Sequence, residues 1–128
     1  MASEQGSTQA IFIPDLPNAE LVYRALAPYD RPIGLRTLWE DVRTGVEHDL
    51  VRYPAGMRAK WHRHTAGHSI LLLEGRMHIN DRVIEPGTYV YLPPGIPMWH
   101  APAGDEPCLF LIMFDGPFDV EVVDQPER

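Results

Sequence analysis

Three histidines, His62, His64 and His68, fall within seven positions in the stretch KWHRHTAGH, and a fourth, His100, follows in PPGIPMWHAP. Imidazole is the commonest metal-ligating side chain, so this clustering points first to coordination chemistry. Side chains alternate faces along a strand, so His62 and His64 point the same way if KWHRH is extended. His68 follows a short turn, TAG, and begins the run SILLL; an antiparallel return strand brings it back beside the first pair. The simplest reading is one divalent metal ion per chain held by His62, His64, His68 and His100. Zn, Fe, Ni, Co and Mn all suit such a set, because imidazole discriminates poorly among them. The competing reading is a chance cluster of surface imidazoles. His48 in GVEHDL and His78 in RMHIND are assigned to that kind.

Such a site needs strands to hold it. Thirteen prolines and ten glycines punctuate 128 residues, which leaves little room for long helices. Between them lie the short β-rich runs AIFI, RTLWEDV, EHDLVRY, AKWHRH, SILLLEG, RMHI, RVI, TYVYL, MWHA, CLFLIMF and FDVEVV. Turn signals such as YPAG, EPG, PPG and PAGDEP separate them. The pattern predicts an all-β, antiparallel sandwich or barrel. NAELVYRALAP is open to two readings: a helix capped by Asn18 with Leu21, Val22 and Leu26 on one face, or a strand.

Composition narrows the partners. The length predicts a single domain over residues 1–128, and 45% hydrophobic residues supply a core. A formal charge of −7 with no basic stripe excludes nucleic acid and an anionic membrane surface as partners. MASEQGSTQA has neither a basic nor an apolar signal-peptide region, and no apolar run reaches the ~20 residues of a membrane span. With Cys108 as the single cysteine, no internal disulfide can form, and a cytoplasmic location is expected. Cys108 itself opens the apolar run CLFLIMF and is read as an inert buried residue.

The spacing of glycines and histidines carries a family likeness. Gly56, five residues, His62, one residue, His64, three residues, His68, six residues, Gly75 resembles the first cupin motif, with His68 where a glutamate usually stands. Gly87, five residues, Pro93, Pro94, Gly95 resembles the second. That motif places its histidine at Met98; His100 lies two residues on and shares a strand face with it. The resemblance covers about residues 45–115. It implies a small jelly-roll barrel, the antiparallel double-stranded β-helix, in agreement with the strand pattern.

The resemblance also implies chemistry. Replacing the usual glutamate by His68 leaves four neutral ligands and the full charge on the ion, which makes a stronger Lewis acid toward a carbonyl or enolate oxygen. A pocket of Met77, Ile79, Val90, Leu92 and Met98 is expected to take a hydrophobic or aromatic small-molecule substrate. Lys60, two residues before His62, is expected on the same face near the barrel mouth and is the one candidate for a catalytic side chain. The four-histidine set resembles that of cupin polyketide cyclases. Fe(II)-dependent dioxygenases that cleave β-diketones or hydroxyketones are the alternative. A non-enzymatic cupin that senses a small molecule or metal is a third reading. AIFIP and FDVEVV are expected as edge strands, and pairing across a two-fold axis predicts a homodimer.

Overall fold

A computed structural model describes residues 9–126. The stretch read as lacking a signal peptide lies, apart from Gln9 and Ala10, outside the described residues. Among the described residues, eleven strands and one 3-10 turn (Leu16–Asn18) make up the regular structure. One layer is a six-stranded sheet in the order β1 (Val22–Arg24), β2 (Ile33–Asp41), β3 (Val46–Tyr53), β10 (Cys108–Phe114), β5 (His68–Glu74), β8 (Tyr89–Leu92). The other is built from the pair β11 (Glu121–Val122) and β4 (His62–Arg63), and the triplet β7 (Arg82–Ile84), β6 (Met77–Ile79), β9 (His100–Pro102). A two-residue bridge between His62 and Met98 joins pair to triplet. Every pairing is antiparallel, and the result is the expected jelly roll.

Alternation decides what each strand gives to the interior. In β5, His68, Ile70 and Leu72 are buried while Ser69, Leu71 and Leu73 are less so. In β10, Cys108, Phe110, Ile112 and Phe114 form the inward row. Tyr89 and Tyr91 of β8 face outward, and Leu92 and, partly, Val90 face the core. One turn shows why a motif glycine is required: Gly75 has φ +75°, and an added Cβ would press on the backbone of Pro107 and Cys108.

In the N-terminal region one expectation is corrected and one open reading is resolved in favour of a strand. AIFI is not a strand: Pro14 and Pro17 cannot donate to a ladder, and Asp15 between them turns into the left-handed region at φ 55°. NAELVYRALAP is not helical; its centre is β1, which pairs Val22, Tyr23 and Arg24 with Leu35, Gly34 and Ile33. Among the described residues no helix is long and apolar enough to cross a membrane.

Candidate metal centre

All four predicted histidines are buried, at 5% exposure or less; among the described residues the one other buried polar or charged side chain is Asp49. His62 sits on β4 with its N–H and C=O both bonded to Met98, through N–H···O bonds of 2.8 Å each way, and pairs with Val122 on its other edge. The Gly95 amide holds the carbonyl of His64 at 2.9 Å. His68 opens β5, opposite Phe114 on one side and Leu92 on the other. His100 opens β9 opposite Ile79.

Ligand atoms of His62, His64 and His100 lie within 4.8 Å of one another, close enough to share one ion. His68 is outside that set, although its ring centroid is 4.8 Å from that of His64. The structure thus brings three of the predicted ligands to one point and places the fourth beside them.

Hydrogen bonds on the far side of the ring settle what His62 and His64 offer. The Nδ1–H of His62 donates to the carbonyl of Lys60 at 2.8 Å, and that of His64 to the carbonyl of Asp119. A carbonyl can only accept, so in both rings Nδ1 carries the proton and Nε2 presents a lone pair. Nδ1 of His100 is 2.6 Å from the Tyr53 hydroxyl. Among the described residues, the buried side-chain nitrogens and oxygens without a partner are His62 Nε2, both ring nitrogens of His68 and His100 Nε2. Burying a polar atom unpaired costs about 1–3 kcal/mol, so four such atoms in one place mark a site built for something to bind. The donor set is the one a divalent first-row ion takes, and the residues fit it.

Electrostatics agree with neutral ligands. Burial is the main cause that pushes the imidazolium forms down: His62 to about 4, His68 to about 3, His64 lower than usual and His100 well below the ordinary range. Repulsion among the rings adds to this, and the backbone of Ala66 opposes it only weakly at His68.

The residues predicted as a substrate pocket lie apart from the large cavity. Met77, Ile79, Leu92 and Met98 are buried in the packed core with Val90 against them, and none of the five lines the large cavity. That cavity, about 860 Å³, lies instead between the segment 20–29 and the inner face of β2, β3 and β10. Its aromatic wall is Tyr29, Tyr53, Phe110, Phe114 and Phe118. The same rings touch the histidines: Phe114 is 5.1 Å from His68 and 5.5 Å from His64, Phe118 is 5.6 Å from His64, and Tyr29 is 6.2 Å from His100. Lys60 contributes through its main chain. Its side chain is exposed, and its part in the site is through the backbone, which accepts from His62 and donates to Pro28.

Asp119 escaped the sequence reading. Its carboxylate accepts from the amide and hydroxyl of Thr65, which holds its own carbonyl on His64. No short motif marks such a contact across 55 residues. Of the histidines set aside, His78 stacks on Trp99 and His48 lies tilted against Trp39, the centroids 5.5 and 5.3 Å apart. Cys108 is buried, and burial pushes its thiol up to about 12, as an inert core residue requires.

Residues 19–119 match the ChrR cupin-like domain, and the chain belongs to that family. Solved structures give the same fold. An acetylacetone dioxygenase from Acinetobacter johnsonii superposes with a TM-score of 0.73 at 17% identity, over 98% of this chain and 84% of that one. A cupin-like protein from Thermotoga maritima gives 0.72 at 19%, over 84% and 87%. The polyketide cyclase RemF from Streptomyces resistomycificus gives 0.69 at 18%, over 92% and 89%. No curated protein matches the sequence.

Proposed function

We propose that the chain is a metal-dependent enzyme that acts on an enolisable, aromatic or polyketide-type small molecule, with a cyclase reaction as the leading assignment. The observation that carries this reading is the group of orphaned, buried imidazole nitrogens beside an aromatic cavity. When bound, a divalent ion supplies Lewis acidity toward a carbonyl or enolate oxygen. His62, His64 and His100 would hold it, with His68 completing the set. The cavity lies within the ~300–1,000 Å³ range of pockets that engulf drug-sized ligands, which favours a multi-ring substrate over a five-carbon diketone. Phe110, Phe114 and Tyr29 would stack on such rings and exclude water from the reacting carbonyl.

A second reading, a dioxygenase of β-diketones, is favoured by the compact His62, His64 and His100 trio with His68 outside it. One experiment separates the two. Protein purified without a histidine tag is analysed for metal, then loaded with Zn or with Fe(II) and assayed with polycarbonyl substrates in air and under nitrogen. Turnover by the Zn form without oxygen supports the cyclase. Turnover only with Fe(II) and oxygen overturns it in favour of the dioxygenase. Absence of bound metal in every preparation removes both.

A further inference from the structure

The three converging imidazoles are not held alike. His62 and His64 each donate to a backbone carbonyl, which fixes the tautomer. His100 instead meets the hydroxyl of Tyr53, at 2.6 Å, and a hydroxyl can donate or accept. If Tyr53 donated to Nδ1, the ring proton would sit on Nε2, and His100 would present N–H where a lone pair is needed. The local contact alone therefore leaves the ligand undecided.

The Tyr53 hydroxyl has a second partner. The Tyr53 hydroxyl is also 2.6 Å from the hydroxyl of Tyr29, 24 residues earlier. Tyr53 has one proton. If that proton goes to the Tyr29 oxygen, Tyr53 can only accept from His100, so Nδ1 carries the ring proton and Nε2 is bare. A phenol with an ordinary pKa of about 10 is neutral near pH 7, so each hydroxyl has a single proton to give. The rings are locked around this path. Tyr53 stacks on His100 with an interplanar angle of 8°, packs edge-on against Phe110, and lies 5.1 Å from Tyr29. Tyr29 in turn lines the cavity, and with its oxygen accepting from Tyr53 its own proton is directed to other acceptors.

We infer that Tyr29, acting through Tyr53, sets the tautomer of His100 and so decides whether that imidazole presents a lone pair to the His62 and His64 pair. Tyr29 is a positioning residue that reports the cavity to the centre. An oxygen acceptor in the cavity, such as a carbonyl or enolate, accepts a hydrogen bond from the Tyr29 hydroxyl and leaves the Tyr29 oxygen to accept from Tyr53. Substrate oxygen and a ligating His100 then favour each other. The inference rests on reading the trio as metal ligands, but its first readout needs neither metal nor turnover.

The test is the tautomer itself. Long-range nitrogen–proton correlation spectra of the metal-free protein assign the proton on each histidine ring. In the unaltered protein His100 should carry its proton on Nδ1, as should His62 and His64. In Tyr29→Phe the His100 signal should move toward the Nε2–H form, while His62 and His64 stay unchanged. Zinc affinity by calorimetry should fall about tenfold or more, in the range seen when outer hydrogen bonds to metal ligands are removed. Tyr53→Phe serves as the second variant: its loss should alter the His100 signal and weaken zinc whether or not Tyr29→Phe folds. A His100 proton that stays on Nδ1 in both variants, with zinc affinity unchanged, overturns the inference. If the unaltered protein binds no zinc but its tautomer responds to Tyr29→Phe, the positioning chain stands and the proposed function falls.

Discussion

His62 and Met98 face each other across a two-residue bridge, exchanging both backbone hydrogen bonds at 2.8 Å. This pair joins the two parts of the smaller sheet. It also gives Met98, not His100, the place opposite a ligand, and leaves His100 one full pleat further along the same face. Met98 is fully buried core, whereas His100 contributes a nitrogen to the converging trio. His100→Ala should therefore abolish stoichiometric metal, as read by elemental analysis after gel filtration. Met98→Ala should keep the metal and lose about 2–5 kcal/mol of stability in a urea titration, the usual cost of truncating a buried methionine. Loss of metal from the Met98 variant alone would reverse the assignment.

The first cupin-like stretch was legible because its chemistry is local. His62 and His64 lie two apart on one strand face, and TAG is short enough to return His68 beside them. His100 was legible through its strand phase relative to Met98. Ten of the eleven β-rich runs coincide with observed strands at least in part; AIFI does not, because the prolines after it end any ladder. The cavity on the β2, β3 and β10 face was not legible. Alternation says which residues point inward, as Met77 and Leu92 do, but not whether a facing layer closes on them. In this chain it closes there and stands off the β2, β3 and β10 face, where Tyr29 and Phe118 arrive from distant segments.

His68 differs from the trio in having neither ring nitrogen hydrogen-bonded and in lying outside their common set. Its removal should be the mildest of the four. His68→Ala should retain one metal with weakened affinity, while His62→Ala and His64→Ala should retain none, as competition with a chromophoric chelator would measure. Equal loss in all four variants would make His68 a full ligand. His68→Glu should keep the metal and lower turnover, because the added negative charge weakens the Lewis acid; undiminished turnover would show that ligand charge is not what the site exploits.

Assembly follows from the edges. The six-stranded sheet ends in β1, where Val22 and Tyr23 are more than half exposed, and the preceding Phe12 is 88% exposed. The smaller sheet ends in β11, within the predicted FDVEVV run. Unpaired edges with exposed apolar side chains favour pairing with another chain, and a two-fold dimer is the commonest outcome. Sedimentation at micromolar concentration should give a dimer that Phe12→Asp with Tyr23→Lys shifts toward monomer. A single monomeric species in the unaltered protein would dispose of this expectation.

Two buried groups of opposite sense should shape stability against pH. The histidines have folded-state values below the unfolded one of about 6.5. Below that pH the unfolded chain binds more protons, so stability of the metal-free protein should fall as pH drops, by up to about 1.4 kcal/mol per pH unit for each ring. Asp49 acts the other way. It lines the cavity on β3, and burial first, then its hydrogen bond and repulsion from Glu47, push its carboxyl up to about 8. Two carboxyls that share a hydrogen bond must hold a proton between them, so the folded state keeps one that the unfolded chain releases near pH 4. Between about pH 4 and 8 the Asp49 contribution is therefore lost as pH rises. Asp49→Asn keeps the shape of the protonated carboxyl without its titration. Its stability relative to the unaltered protein should rise steadily from pH 5 to pH 8, as measured by urea midpoints of the metal-free forms. Below pH 6.5 both proteins should fall together, and zinc should oppose that fall by holding the imidazoles unprotonated. A difference between them that does not vary from pH 5 to pH 8 would mean that Asp49 is ionised in the folded protein, with its proton lost to the cavity well below neutrality.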